Sequence, residues 1–409
     1  MAQALRAQRS CAQLHTTSHV ACPTAHMCRW LLYFAHEPIP LADVVCRPKN
    51  SLIQQSYSAN FHPGFTAKNN ATLNADGVGL AWYKNDKPYL YKCTEPAWCD
   101  PNLRELADYV ESPAICGHVR AASPGSVVNR ENCHPFRFGR LIFQHNGHIE
   151  EFKLVKRKMI DMMTDEAFHN IQGGTDSEHF FALIVTNLPD ASRTSPFSLS
   201  DLKRAVKKAT GQVLELLEQA GVTGGFTSLN TMLTDGISVV VTRFCDKYPA
   251  VPPPSLYFCY ERADVVRPLL SADASSGGPG DGSDLKDQPE TDAKQPRMVR
   301  SETDYDSTHE WWLDDDKALS AASVDPAWRS LIVSSECLTE SHQATWYPLP
   351  AQSMLTYKRG TEMQDHRYRP KIEPLSCGQP IALPDPCCTS PKHKKQRSDN
   401  CTGHLESTA

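Results

Sequence analysis

The sequence predicts an α+β protein with strands and helices in mixed order. Three observations point there. Short apolar runs of strand length, rich in β-branched and aromatic residues, recur along the chain. Amphipathic or wholly apolar helical patterns lie between them. No glycine-rich strand-to-helix turn of the kind that opens a doubly wound nucleotide fold is present.

The strand candidates are "GVGLAWY" (77–83), "RLIFQH" (140–145), "ISVVVTRF" (237–244) and "SLYFCY" (255–260). In "DLKRAVKKATGQVLELLEQAG", Leu202, Ala205, Val206, Ala209, Val213, Leu216, Leu217 and Ala220 recur at steps of three and four, with Gly221 as the C-cap. "TDSEHFFALIVTNL" (175–188) opens on an N-cap signature and then turns almost wholly apolar, which predicts a helix buried between layers. Residues 271–309 are rich in Gly, Ser, Pro and Asp and cannot bury a core, so a disordered insertion is expected over 263–325. "WRSLIVSSECL" (328–338) and "SMLTYKRG" (353–360) are expected to be two more strands of the same sheet, the final strands of the domain over 326–364. A Pro- and Cys-rich tail is expected over 365–409, with "PKHKKQR" as a solvated basic stretch.

Composition narrows the functions. The 409 residues are 40% hydrophobic and 22% charged, with a net charge of −5. That gives no general reason to bind nucleic acid or an anionic membrane, and no apolar run approaches the ~20 residues a bilayer span needs. Fifteen cysteines, an odd number at irregular spacing, read as free thiols in a reducing compartment, with no metal or cofactor expected. Residues 1–26 contain no acidic residue, two arginines and several Ser and Thr. They read either as a start codon assigned too far upstream, with a cytoplasmic enzyme, or as a mitochondrial transit peptide. Either way 1–27 is expected to be absent from the mature chain, and the folded domain to run over 28–262.

Cys28 follows Met27 directly. If translation starts there and the initiator is removed, Cys28 becomes the first residue. Its free α-amine, with an ordinary pKa near 8, can then take the thiol's proton. Arg120 follows a strand-like run and precedes Ser123 and a Pro-Gly turn; a guanidinium there suits bidentate capture of a carboxylate. Asn146 and Gly147 offer a carboxamide and a backbone N–H for an oxyanion. Asp176 at a helix start offers a carboxylate for a substrate ammonium. Taken singly, these residues also read as a buried cysteine, a surface ion-pair arginine, a hairpin turn and an N-cap.

As an ordered set, "MCRWLLYF", "NADGVGLAWY", "HVRAAS", "NCHPF", "HNGHIEEF" and "TDSE" resemble the class II glutamine amidotransferase domain, an N-terminal-nucleophile fold. "CRPKNSLIQQSYSA" and "NADGVGLAWY" further resemble the amidotransferase-like subunit of the fungal complex that degrades glutathione, and more distantly the bacterial hydrolase of γ-glutamyl ergothioneine precursors. The resemblance implies a four-layer αββα sandwich. It implies Cys28 as nucleophile, Arg120 and Ser123 on the glutamyl α-carboxylate, Asp176 on the α-ammonium, and Asn146 with Gly147 as oxyanion hole. The family often carries Trp where this chain has Ala121, which leaves room for a leaving group larger than ammonia. The chain shows no synthase domain and no phosphate-binding loop. The expected function is therefore hydrolysis of a γ-glutamyl amide, glutathione to glutamate and Cys-Gly, beside a zinc-peptidase-like partner subunit. The alternatives are a glutaminase supplying ammonia to a separate synthase, and a non-catalytic module that senses γ-glutamyl compounds.

Overall fold

A computed structural model describes residues 28–58, 73–123, 125–262, 297–300, 311–314, 329–339, 346–359 and 370–375. The chain begins with β1 (Arg29–Pro40), α1 (Ala42–Val45), α2 (Leu52–Tyr57), β2 (Val78–Lys84), β3 (Lys87–Cys93) and α3 (Pro101–Tyr109). Next come β4 (Glu111–Val119), β5 (Phe136–Phe138), β6 (Leu141–His148), α4 (Phe152–Asp161), α5 (Asp165–His169), α6 (Asp176–Thr186) and α7 (Leu199–Gln219). The remaining strands are β7 (Ser228–Thr234), β8 (Ser238–Arg243), β9 (Tyr257–Arg262), β10 (Arg297–Arg300) and β11 (Trp311–Asp314). They end with β12 (Arg329–Ser334), β13 (Tyr347–Pro348), β14 (Ser353–Lys358) and β15 (Lys371–Pro374).

The strands form two antiparallel sheets. One has the order β13-β9-β12-β1-β4-β2-β3 and the other β10-β11-β15-β14-β8-β7-β6-β5. β1 shows why the sequence reads as a continuous apolar run. Trp30, Leu32 and Phe34 point into the core between the sheets, against Ile142, Met232, Val239 and Val241. Leu31, Tyr33 and Ala35 point the other way, into a second core under α1, α2 and α3. A strand covered on both faces has no reason to alternate. With about 1.5–3 kcal/mol for each large side chain fully buried, this composition draws β1 to the middle of its sheet.

The second sheet is covered on its outer face by α4 to α7, which share a core with Phe143, Leu229, Leu233 and Val240. The result is four layers, helix–sheet–sheet–helix, as the resemblance implied. α6 lies at the centre of its helical layer and is buried from Ser177 to Val185, which accounts for its apolar run. Thr175 caps it by accepting the N–H of Glu178, while Glu178 turns back to accept the N–H groups of Gln172 and Gly173. α7 starts two residues earlier than its periodicity suggests, on Ser198 as N-cap. It ends in a Schellman arrangement: Gly221 has φ +70° and its N–H reaches Glu218 O, while Val222 N–H reaches Leu217 O.

Three expectations about organisation need correction. β12 and β14, expected in one sheet, lie in different ones: β12 pairs with β1 and β9 in the seven-stranded sheet, and β14 with β8 and β15 in the eight-stranded sheet. β10 and β11 fall inside the stretch 263–325 read as a disordered insertion, and β15 falls inside the tail read from 365. All three are four residues long, too short to display a period of two. Their pairing comes from neighbours: β15 lies against β14 in the register Leu355 to Ile372. The rest of those two stretches, like residues 1–27, lies outside the described residues.

Candidate active site

Cys28 stands immediately before β1. Arg29 pairs with Val119 at the end of β4, and Val119 pairs in turn with Val78 of β2. This register delivers Cys28 to the segment just after β4. Its Sγ lies 3.3 Å from the backbone N of Ala121, which donates to it, and 3.6 Å from the oxygen of the same residue. Burial pushes the thiol's pKa up; the Ala121 N–H and the charges of Arg120 and Arg29 oppose this, while the Asp176 carboxylate adds to it. The net direction is upward, so the thiol rests protonated and needs a base to become a nucleophile.

Arg120 is buried, and its guanidinium donates to the Ser126 hydroxyl at 2.8 Å and to Val127 O at 3.2 Å. Ser123 is exposed on the same loop, and its carbonyl accepts the Ser126 N–H. The hydroxyl on the arginine is therefore that of Ser126. The loop is fastened from the other side by Asp76, whose carboxylate accepts the Ala122 N–H at 2.7 Å and whose own N–H donates to Arg120 O. Asp76 belongs to "NADGVGLAWY", whose sequence pointed to a strand and to the family but gave Asp76 itself no role. Its spacing explains the glycines. A Cβ on Gly77 would stand 2.6 Å from Cys133 Sγ, and one on Gly79 would stand 2.0 Å from His134 O. Only bare backbone lets β2 approach the 133–135 segment.

Asn146 and Gly147 lie near the end of β6, paired with Asn230 and Leu229 of β7. Asn146 is buried, and its Oδ1 has no hydrogen-bond partner among the described residues. Gly147 has φ +152°, and a Cβ there would stand 2.0 Å from Ser228 O. Two residues on, the Ile149 N–H donates to Asp176 Oδ2 at 2.8 Å, while Asp176 Oδ1 accepts the Ser177 N–H at 2.7 Å. Asp176 is thus tied to the end of β6 as well as to its own helix.

Three buried histidines, to which sequence reasoning gave no role, hold this framework. His145 meets the Ser177 hydroxyl at 2.9 Å through Nδ1 and Ser228 O at 3.0 Å through Nε2. A carbonyl only accepts, so Nε2 carries the proton and Nδ1 accepts from Ser177. His118 Nε2 donates to His145 O at 3.1 Å, and its ring stacks on His134 with centroids 4.1 Å apart. Burial holds all three neutral, with His118 lowered to about 3.

The structure thus brings Cys28 together with Arg120 and Ala121, with the charge of Asp176 acting on the thiol. Through the bond from His118 to His145 it places the strand end before Arg120 beside the strand end that carries Asn146. Ser123 stays apart from the arginine side chain's bonds. Among the described residues no cluster of His, Cys, Asp or Glu is arranged to hold a metal ion, and no helix is long and apolar enough to cross a membrane.

The chain is similar to known proteins, and it spans less than two thirds of the length of the curated relatives it matches. Residues 50–251 match the model for class II glutamine amidotransferases. The matched range begins after Cys28 and takes in Arg120, Ser123, Asn146, Gly147 and Asp176. The chain is 34% identical over 232 residues to the probable glutamine amidotransferase DUG3 of Saccharomyces cerevisiae, covering 53% of this chain and 64% of that protein. It is 25% identical over 141 residues to the γ-glutamyl-hercynylcysteine sulfoxide hydrolase of Mycobacterium tuberculosis, covering 34% of this chain and 58% of the relative. Among solved structures, a class II glutamine amidotransferase domain protein from Silicibacter pomeroyi superposes with a TM-score of 0.45 at 21% identity, over 81% of this chain and 94% of that one.

Proposed function

We propose, from the premise that this chain carries a class II glutamine amidotransferase domain and is an enzyme of that family, that it hydrolyses γ-glutamyl amides with Cys28 as nucleophile. The substrate on this reading is glutathione, and the products are glutamate and Cys-Gly. The observation that carries it is the seat of the Cys28 sulfur, 3.3 Å from the Ala121 N–H beside the buried guanidinium of Arg120.

The free α-amine of Cys28 takes the thiol proton, and the sulfur attacks the γ-carbonyl. The tetrahedral oxyanion rests on the Asn146 carboxamide and the Gly147 N–H. Collapse breaks the C–N bond, the ammonium returns its proton to the leaving amine, and a thioester remains. Water, deprotonated by the same amine, then releases glutamate and the free thiol. Arg120 holds the α-carboxylate, with Ser123 assisting from the loop, and Asp176 holds the α-ammonium.

The small side chain of Ala121 beside the sulfur favours a leaving group larger than ammonia. On this reading Cys-Gly passes to a zinc-peptidase-like partner subunit, which cleaves the remaining peptide bond. The test is glutamate release from glutathione and from glutamine, measured on the chain beginning at Cys28, with and without cell extract. Faster release from glutathione supports the hydrolase. Release from glutamine alone turns the reading to an ammonia-supplying glutaminase. No release from either, even with extract, leaves a sensing module. Cys28→Ser should lower turnover at least 100-fold while the protein stays folded, because a hydroxyl replaces a far better nucleophile at nearly the same volume.

A further inference from the structure

An N-terminal nucleophile has a mechanical problem that an internal one does not. No upstream residue holds it, so its amine and thiol are positioned only by rotation about its own bonds. The sulfur is fixed by Ala121. With the sulfur held, the direction of the amine is set by the torsion between Cα and the carbonyl carbon, and the structure contains a device on that carbonyl.

Arg29 Nη1 donates to Cys28 O at 3.2 Å, and its Nε donates to Glu336 Oε1 at 3.0 Å. Both charged groups are buried, Arg29 with 2% of its surface exposed and Glu336 with none. The second oxygen of Glu336 accepts from Asn50 Nδ2 at 3.3 Å, and the same Nδ2 donates to Cys337 O at 2.8 Å. The neighbouring residues lock the register: Trp30 N–H donates to Ser335 Oγ, and Ser335 N–H donates to Trp30 O, both at 3.0 Å. A carboxylate brought from the far end of the chain, just after β12, thus clamps the guanidinium that holds the nucleophile's carbonyl.

A buried ion pair contributes little net stability compared with apolar residues of similar volume, because both charges must leave water. Stability therefore gives no strong reason for this pair, and geometry gives one. The planar guanidinium serves two acceptors in different directions at once, which a lysine ammonium on a flexible stem does not reproduce.

Resting on the reading of Cys28 as nucleophile, we propose that Arg29, clamped by Glu336, is the positioning residue of the terminal amine. By holding Cys28 O, with the sulfur already held at Ala121, it sets the rotation that aims the α-amine at the departing nitrogen. Arg29 bonds Glu336 and Cys28 O and not the sulfur, on which only its charge acts, so its effect falls on turnover and not on substrate capture.

Arg29→Lys keeps the charge and an ion pair with Glu336 but loses the second arm. On the chain confirmed by mass to begin at Cys28, kcat for glutamate release should fall 10- to 100-fold. KM should stay within threefold, as should the rate of Cys28 alkylation by iodoacetamide. The paired variant Arg29→Met with Glu336→Leu replaces the ion pair by apolar groups, and should fold with a melting temperature near wild type yet show the same loss in kcat. A kcat within threefold of wild type in either folded variant overturns the proposal. So does a loss in which KM, alkylation and melting temperature move together. Cys28→Ser in the same assay separates the two levels: its inactivity upholds the nucleophile whatever the Arg29 variants do, and its full activity removes the reading on which this inference rests.

Discussion

His118 Nε2 donates to the backbone oxygen of His145 at 3.1 Å, and this bond crosses from one sheet to the other. It joins the residue two before Arg120 to the residue just before Asn146, and so sets the spacing between the two halves of the site. The bond is made by a neutral ring in a fully buried place.

Acid should therefore weaken the protein through this cluster. Burial lowers the folded pKa of His118 to about 3, and those of His134 and His145 move down as well. Unfolded histidine takes up protons near pH 6.5, so the unfolded state binds more protons below that value. The stabilising contribution is fully present above pH 6.5 and is lost as pH falls toward 3. The loss is on the order of 5 kcal/mol for His118 alone. Urea unfolding followed from pH 7.5 to 4.5 should show a steady fall in midpoint, and a folded His118→Gln variant should show a shallower one.

Arg120→Lys should raise KM for a γ-glutamyl substrate about 10-fold or more. An ammonium cannot keep the bonds to Ser126 and Val127 and still present a fork to a carboxylate. A substrate analogue lacking the α-carboxylate should discriminate little between wild type and variant. Equal discrimination against that analogue by both proteins would show that Arg120 holds something else.

Gly147→Ala should be costly to the fold before it is costly to chemistry. The new methyl would meet Ser228 O at 2.0 Å, from a backbone at φ +152°. β6 and β7 would have to part there, at a cost of about 2–4 kcal/mol. Denaturant midpoints measure this directly, and a variant as stable as wild type contradicts the geometry.

Asp176→Asn should make the Cys28 thiol react at lower pH. The Asp176 carboxylate raises the thiol's pKa, so removing its charge moves the alkylation profile toward acid. Iodoacetamide rates from pH 6 to 10 give the sign; a shift toward alkali would mean that Asp176 does not face the sulfur.

The active protein should begin at Cys28. Any residue still joined to it converts the amine to an amide, which cannot serve as base. Intact-mass measurement of active enzyme from its native source checks this, and full activity in a chain that retains residues 1–27 would refute the free-amine mechanism.

The sequence by itself determined what depends on neighbours along the chain. The cap at Thr175 and the wholly apolar α6 were legible, as was the Gly221 stop after α7, because these are short-range matters of hydrogen bonding and periodicity. The candidate residues could be named from their side-chain chemistry and their order, and the family that this order suggested is the one matched over 50–251. Only the tertiary structure decided which partners those side chains keep. Arg120 bonds Ser126 and not Ser123, because the loop's turn faces Ser126 inward. Asp76 fastens the segment after Arg120 from another strand's approach, and Glu336 reaches Arg29 across 307 positions of sequence. β15 was invisible as four residues with no period of their own, and became a strand because β14 offered it an edge. Pairings of this kind are set by sheet register and packing, and local sequence carries no record of which distant backbone will lie alongside.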